Sequence, residues 1–225
     1  MSRAENRIEQ TRAIQAAGRR HLAEVGPAAL SLRAIAREVG LVSSAVYRYF
    51  PSRDALLTAL IVESYDELGD AVEAADAGQD RDDLAARLAA VCHALHDWAR
   101  ANPHEYALLY GSPVPGYAAP DTTVASAGRV PGVLLGIAAA SEAAGCPVVP
   151  TRPLTDAERA ALEPVREAVG APVGEERLLR WLMAWKTLFG HVSLELFGHM
   201  HRGILDYDAH FAQVVDQLAA DLGLT

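Results

Sequence analysis

The apolar residues of the first 76 positions recur every three to four residues, which is the spacing of a helix that buries one face. This spacing predicts a helix over 5–25, a second over 31–40 and a longer third helix that begins at Ser52. Gly26-Pro27 and Gly40 end the first two, because glycine adopts the conformation that closes a helix and proline cannot continue one.

Helical spacing continues through the rest of the chain, and no segment alternates with the period of a strand. The predicted fold class is therefore all-α. Two stretches rich in Pro, Gly and Ala, 111–132 and 145–153, predict loops. The predicted helices of this part cover 81–101, 103–110, 133–144, 155–169 (capped by Thr155), 175–201 (apolar nearly all round) and a last segment that Asp206 or Asp208 caps.

The segment "GLVSSAVYRYF" (40–50) fits two structures. Its β-branched and aromatic residues favour a strand, whereas Val42, Val46 and Phe50 recur every four residues, as in a helix. The neighbouring residues favour the helix, because small Ala36 lets two helices cross closely and Gly40 supplies a tight turn. We therefore predict a helix-turn-helix, with a generic helix pair as the alternative. The positions that fit the motif are Ile35, Ala36, Val39, Gly40, Leu41 and Val46.

The stretch "SLRAIAREVGLVSSAVYRYFPSRDALL" (31–57) resembles the DNA-binding domain of the TetR (AcrR-like) family of transcriptional regulators. The resemblance includes the aromatic ending of the motif and the Ser-Arg pair that opens the next helix. It implies a three-helix helix-turn-helix DNA-binding domain over 1–51 and a connecting helix over 52–76. It also implies a larger helical domain over 77–225 that binds an effector and dimerises.

The resemblance also implies which side chains meet DNA. Ser43, Ser44, Ala45 and Arg48 are expected nearest the bases, and Ser31, Arg33, Tyr47 and Arg53 on phosphates. The chemistry agrees, since arginine bridges guanine O6 and N7 while hydroxyl groups suit phosphate oxygens. Two alternatives stay open: Ser31 only caps its helix, and neighbouring Tyr49 packs in the core. Val42 stands where the family usually has Ser or Thr, so Ser43 is expected to cap the helix one residue later.

Charge is distributed unevenly along the chain. The whole protein carries −9, which alone argues against nucleic-acid binding. Residues 1–60, however, hold nine arginines and five acidic residues and carry +4, whereas the rest holds eleven basic and 24 acidic residues and carries −13. A basic head on an acidic body is a feature of proteins that contact DNA with one end.

The remaining bulk features point to a cytoplasmic protein. The polar N-terminus does not resemble a secretory signal, and no uncharged apolar run reaches membrane length. The two cysteines, Cys92 and Cys146, do not form a disulfide framework, so a reducing compartment is expected.

The segment "WKTLFGHVSLELFGHM" (185–200) resembles a C-terminal subtype named for a Trp-His-Gly pattern, although Phe189 stands where that subtype usually has His. Aromatic residues concentrate in this part of the chain, and a cavity lined by them suits a medium-sized apolar effector. Ordinary core packing is the alternative for each one. The predicted ligand-binding residues are Trp98, Tyr106, Tyr110, Trp181, Trp185 and Phe189.

A helix that is apolar around most of its circumference needs burial on more than one side. The second side is expected to meet another copy of the chain, giving a homodimer whose two heads contact two half-sites of a palindromic DNA operator. The predicted dimer residues are Leu196, Phe211, Val214, Val215 and Leu218.

Lys186, the only lysine, lies within the most apolar helix. It is expected to reach solvent from the helix edge; a cation for an anionic ligand and a Schiff-base lysine are the alternatives. Pairs of histidines, 93 with 96 and 199 with 201, do not have a recognised metal-site spacing. No metal site, cofactor or catalytic triad is predicted.

These features predict a ligand-responsive, homodimeric transcriptional repressor that a small-molecule effector releases from double-stranded DNA. An activator is the second possibility, because the sign of regulation depends on the operator position. The rival hypothesis is an all-α small-molecule-binding protein or enzyme with a head that does not bind DNA.

Overall fold

The computed structural model describes residues 2–148, 152–169 and 172–225. Every regular element in these ranges is helical, which confirms the all-α prediction. Short 3₁₀ turns lie at Pro27–Ala29 and Asp121–Thr123. The α-helices are α1 (Arg3–Val25), α2 (Leu32–Glu38), α3 (Ser43–Val46), α4 (Arg53–Ala77), α5 (Leu84–Ala101), α6 (Pro103–Tyr110), α7 (Val124–Ala127), α8 (Arg129–Ala143), α9 (Asp156–Val169), α10 (Glu175–Leu196) and α11 (Tyr207–Asp221).

The chain forms two compact units. The N-terminal unit comprises Met1–Glu67 and Asn102–Ala127, and the C-terminal unit comprises Leu68–Ala101 and Gly128–Thr225. Helix α4 therefore begins in one unit and ends in the other. The predicted functional boundaries at residues 51 and 76 stay predictions.

The core of the N-terminal unit joins α1, α2, α3 and the first turns of α4. Ile14, Ile35, Val46 and Leu56 are completely buried in it. Burying each such side chain contributes about 1.5–3 kcal/mol, so the apolar periodicity of the sequence largely specifies this unit. Gly18 of α1 allows close packing, because a Cβ there would lie 3.1 Å from the Leu60 Cδ1 atom.

The interior of the C-terminal unit lies among α5, α8, α10 and α11. Leu88, Leu95, Ile137 and Leu178 are almost completely buried there. Arg177 is also buried, and its guanidinium donates to Glu142 Oε2 at 2.7 Å, to Ser141 Oγ at 3.0 Å and to a backbone carbonyl. These acceptors offset the cost of removing the charge from water.

Side-chain caps begin several helices where the sequence predicts them. The Ser31 and Ser52 hydroxyl oxygens accept from backbone N–H groups three residues later, at 3.4 and 3.0 Å. Thr155 accepts from the N–H of Glu158, whose carboxylate accepts from the Thr155 N–H in return. Of the two candidates for the last cap, Asp206 is the residue that accepts, from the Ala209 N–H.

The structure corrects the predicted bounds of loop 111–132 and of helix 175–201. The predicted loop 111–132 contains a 3₁₀ turn and α7, and α8 begins at Arg129 rather than 133, because proline is tolerated in a first helical turn. Helix α10 ends at Leu196 rather than 201, since Gly198 takes a left-handed φ of 77°. The polar positions Lys186 and Thr187 of α10 are exposed.

No single helix in the described ranges is long and apolar enough to cross a membrane. The adjoining segments Asp121–Ala127 and Arg129–Ala143 meet the length and composition criteria only when they are taken together.

Candidate DNA-binding surface and effector cavity

The turn between α2 and α3 fixes the geometry of the helix-turn-helix. Gly40 has φ +72°, and its N–H donates to the carbonyl of Arg37 at 3.2 Å. The N–H of Leu41 donates to the carbonyl of Ala36 at 2.8 Å. This pair of bonds is the Schellman motif, which closes a helix around a left-handed residue. Ala36 is completely buried, as a close helix crossing requires.

Helix α3 presents a polar face to solvent. Val46 is completely buried and holds α3 on the core, whereas Ser43, Ser44, Tyr47 and Arg48 are exposed. Ala45 is partly buried between them. The helical interpretation of 40–50 is therefore correct, although the α-helix has only four residues before the chain continues as turns to Tyr49.

The start of α3 differs from the prediction. Val42 occupies the N-cap position with no side-chain cap, and Ser43 is the first helical residue rather than the cap. The Val42 side chain is 71% exposed, although valine is apolar. Without a capping hydroxyl, the first N–H groups of α3 keep their capacity to bind another acceptor.

The arginines of the N-terminal unit divide into paired and unpaired groups. Arg19 forms a bidentate pair with Glu67 at 2.6 and 2.9 Å, and Arg20 pairs with Glu38 at 2.7 Å. Six others are exposed and form no ion pair with the described residues. They are Arg3, Arg7, Arg12, Arg33, Arg37 and Arg48.

Two of the predicted phosphate contacts also have roles inside the protein. Ser31 caps α2, as its alternative role predicts. The Arg53 guanidinium donates to the carbonyl of Pro27 at 2.7 Å and pairs with Asp54 at 3.1 Å. Arg53 thus ties the start of α4 to the 3₁₀ turn before α2.

Sequence reasoning missed Arg7 of α1. Its Nη2 donates to the carbonyl of Arg48 at 3.3 Å, and its guanidinium carbon lies 5.8 Å from the centre of the Tyr49 ring. Tyr49 is partly buried against the core, which agrees with its packing alternative. Arg7 therefore places a second positive charge beside Arg48, and only the basic composition of the first helix hinted at this.

A cavity of about 230 Å³ lies among α8, α9 and α10 in the C-terminal unit. Its lining is apolar apart from indole N–H groups. Two of the predicted ligand-binding residues, Trp181 and Trp185, belong to it. The other lining residues are Pro131, Leu134, Leu135, Pro164, Val165 and Leu182.

The other predicted aromatic residues are not among those that line this cavity. Phe189 packs edge-on against Trp185 at 5.8 Å, and Trp98 lies on α5. Tyr106 and Tyr110 belong to the N-terminal unit, where their rings pack at 5.1 Å. Burial raises the pKa of Tyr110 well above its usual value. Of the six residues, Trp181 and Trp185 are the two that line this cavity, and the ligand-binding role of all six stays a prediction.

A buried polar cluster joins α5, α10 and α11. His96 Nε2 lies 2.8 Å from the Glu195 carboxylate, and the His96 ring stacks on Phe211 at 4.0 Å. His191 lies 3.7 Å from the same carboxylate, but its Nε2 has no hydrogen-bond partner. Burial is the main cause that lowers the pKa of His191, and the neighbouring His210 and His96 lower it further. The negative charge of Glu195 raises this pKa but does not outweigh them.

The predicted dimer residues have different surroundings. Phe211, Val215 and Leu218 are buried inside the C-terminal unit, whereas Leu196 and Val214 are partly exposed. The exposed apolar residues of α10 and its C-cap are Met183, Leu194 and Phe197, which are 47%, 48% and 43% exposed. Lys186 is exposed and does not line the 230 Å³ cavity, which agrees with the prediction that it reaches solvent.

Two family models match the chain. The model described as "Bacterial regulatory proteins, tetR family" matches residues 14–60, which contain the helix-turn-helix. The model described as "Tetracyclin repressor-like, C-terminal domain" matches residues 88–218. The Trp-His-Gly subtype stays a prediction.

Known proteins resemble the chain over most of its length. The HTH-type transcriptional regulator Rv1816 of Mycobacterium tuberculosis is 43% identical over 187 residues, which are 80% of this chain and 78% of the relative. The crystal structure of SCO4313 is 33% identical, covers 98% of this chain and 100% of its own, and superposes with a TM-score of 0.80. A Rhodococcus sp. RHA1 protein of unknown function is 26% identical, covers 95% of both chains and has a TM-score of 0.72. The chain therefore belongs to the TetR family of transcriptional regulators.

Proposed function

We propose that this transcriptional regulator is a ligand-responsive repressor, which a small-molecule effector releases from its DNA operator. The observation that carries the proposal is the exposed surface of α3 and the turn that follows it, where Ser43, Ser44, Tyr47 and Arg48 project from the core of the N-terminal unit. These four side chains are exposed polar groups that the core does not require, and Arg7 lies against the Arg48 carbonyl beside them.

The proposed roles follow from the chemistry of each side chain. Arg48 has no ion pair in the described residues, so its guanidinium is available to bridge O6 and N7 of a guanine. Serine hydroxyls donate to or accept from several bases, and the methyl of Ala45 suits that of thymine. Arg7, Arg33 and Tyr47 supply phosphate contacts that orient the unit on the duplex.

The test compares two arginine substitutions on operator DNA selected from random duplexes. Arg48→Ala is expected to reduce discrimination between operator and random DNA about 5- to 150-fold, the equivalent of about 1–3 kcal/mol for a bidentate base contact. Arg20→Ala removes the same charge from a side chain paired with Glu38 and is the matched control. Fluorescence anisotropy measures both. Unchanged discrimination by Arg48→Ala would contradict the proposed contact with the bases.

We propose that the protein acts as a homodimer through the exposed apolar stripe of α10. Met183 and Leu194 lie on one face of α10, since eleven residues are about three turns of a helix with 3.6 residues per turn, and Phe197 follows at the C-cap. Such a stripe costs free energy in water unless another surface covers it. Two copies would place two α3 helices on half-sites separated by whole turns of DNA, roughly 34 Å or a multiple.

Sedimentation of two leucine variants tests the dimer. Leu194→Asp is expected to shift the protein to monomers, because a charge replaces an apolar contact at the proposed seam. Leu205→Asp introduces the same charge at a side chain that is 98% exposed and lies outside α10. If the Leu194→Asp protein remains a dimer to the same extent as the Leu205→Asp protein, this seam is excluded.

The apolar cavity of the C-terminal unit supports the effector part of the proposal. An effector releases the operator only if it binds the released conformation more tightly than the DNA-bound one. This function requires no catalysis and places the protein with chromosomal DNA in the cytoplasm. The rival, a small-molecule-binding protein or enzyme with an inert head, predicts that DNA binding depends only on phosphate attraction and shows no sequence preference.

A further inference from the structure

We infer that Arg7 of α1 is a positioning residue for sequence recognition, which holds the chain at the end of α3 so that Arg48 meets its base in one geometry. The inference rests on the proposed function, in that Arg48 is taken to contact a base. It adds a residue that governs the specificity of that contact without touching the base itself.

The carbonyl of Arg48 is the first point that Arg7 holds. It lies just past the C-terminal end of α3, where helix carbonyl groups no longer have a partner within the helix. In the part of the chain that the structure describes, no backbone N–H donates to this carbonyl, and its donor is the Arg7 Nη2 at 3.3 Å. Arg7 therefore supplies a hydrogen bond that the local fold does not.

The ring of Tyr49 is the second point. The guanidinium carbon of Arg7 lies 5.8 Å from the centre of this ring, within the range of a cation–π contact. Tyr49 packs against the core of the N-terminal unit, so the ring is itself held in place. Because the two contacts fall on consecutive residues, Arg7 holds this stretch of chain at two points.

The segment of α1 that carries Arg7 is not held by burial. Every residue from 3 to 9 is exposed, and Ile14 is the first residue of the helix that is completely buried. A capping box between Ser2 and Glu5 begins this extension and stabilises it locally. Core packing therefore does not account for the extension, whereas the contacts of Arg7 join it to the chain that follows α3.

The orientation of Arg48 depends on contacts from outside α3, because this helix is only four residues long. One helical turn has few internal hydrogen bonds to define its direction, and Val46 is its completely buried residue. A guanidinium discriminates guanine best when its bonds to O6 and N7 form together. A less constrained backbone therefore weakens specific binding but leaves the attraction to phosphate.

Arg7→Gln and Arg3→Gln test the inference on the operator selected from random duplexes. Both remove one charge from the exposed part of α1, but Arg3 forms no hydrogen bond, ion pair or ring contact with the described residues. Arg7→Gln is expected to reduce discrimination between operator and random DNA about three- to tenfold, the usual contribution of one hydrogen bond. Arg3→Gln is expected to weaken binding to both duplexes by the same factor. Fluorescence anisotropy measures each affinity.

A double-mutant cycle assigns the effect to Arg48. In an Arg48→Ala background there is no guanidinium to position, so Arg7→Gln is expected to change discrimination by less than about twofold. A residue that only contacts phosphate would leave discrimination unchanged in both backgrounds. A residue that contacts a base by itself would reduce discrimination by the same factor in both.

The outcomes separate this inference from the proposed function. Unchanged discrimination in Arg7→Gln, an equal loss in Arg3→Gln, or the same loss in both backgrounds would each overturn the positioning role. If Arg48→Ala still loses discrimination in that case, the proposed contact with the bases stands. Wild-type discrimination in Arg48→Ala would instead overturn both, because Arg7 would have no base contact to position.

Discussion

Replacing Gly40 with alanine tests whether the left-handed turn defines the helix-turn-helix. The backbone of Gly40 has φ +72°, a conformation that costs an L-residue about 1–2 kcal/mol. A Cβ at this position would meet no atom within 4 Å, so no steric clash adds to that cost. Alanine also lowers the conformational entropy of the unfolded chain, which offsets about 0.4–1 kcal/mol of that cost.

The expected net loss in the free energy of unfolding is therefore about 1 kcal/mol for Gly40→Ala. Gly40→Asn is the matched control, because asparagine is larger than alanine but tolerates the left-handed region better. Urea unfolding followed by circular dichroism measures both variants. A Gly40→Ala protein as stable as the wild type, or an asparagine variant less stable than the alanine one, would refute the argument from backbone strain.

Three further predictions concern the C-terminal unit. The lowered pKa of His191 means that the folded state favours the neutral ring, so the free energy of unfolding should fall as the pH drops below about 6.5. His191→Gln should reduce this fall, as urea midpoints at about pH 7.5 and about pH 5.5 would report; an equal fall in both proteins would contradict it. Glu195→Gln should cost about 1–3 kcal/mol by weakening its buried contact with His96, with the half-exposed Glu163→Gln, whose partner Arg166 lies near the surface, as the control in the same unfolding assay. Burial raises the pKa of Cys92 to about 12, so a thiol reagent at about pH 8 should modify only Cys146 in the native protein and both cysteines after unfolding; two reactive native thiols would be inconsistent with the core.

Local sequence signals predicted the helix-turn-helix well, because its specifying features lie within a few residues of one another. The N–H groups of Gly40 and Leu41 close α2 by donating to the carbonyls of Arg37 and Ala36, and Ser31 and Ser52 cap the helices at either side. The start of α3 at Ser43 was harder to predict, since core packing by Val46 keeps the helix in place without a capping side chain.

Tertiary packing decided what the sequence left open in the rest of the chain. Aromatic composition grouped Tyr106 with Trp181, yet the chain places them in different units. Helical periodicity showed that Phe211 is buried but not whether it packs inside its own chain or against a second copy. In the structure, its ring stacks on His96 of the same chain. Arg7 was missed because its proximity to Arg48 depends on how α1 packs in the N-terminal unit.

Titration of the protein onto the DNA upstream of its own gene tests the central claim most directly. Fluorescence anisotropy at several salt concentrations, with random DNA as competitor, separates sequence-specific binding from phosphate attraction. The account predicts tight binding that persists in the presence of competitor, with two protomers on each operator. Binding that random DNA abolishes at equal concentration, on this duplex and on duplexes selected from a random pool, would contradict it.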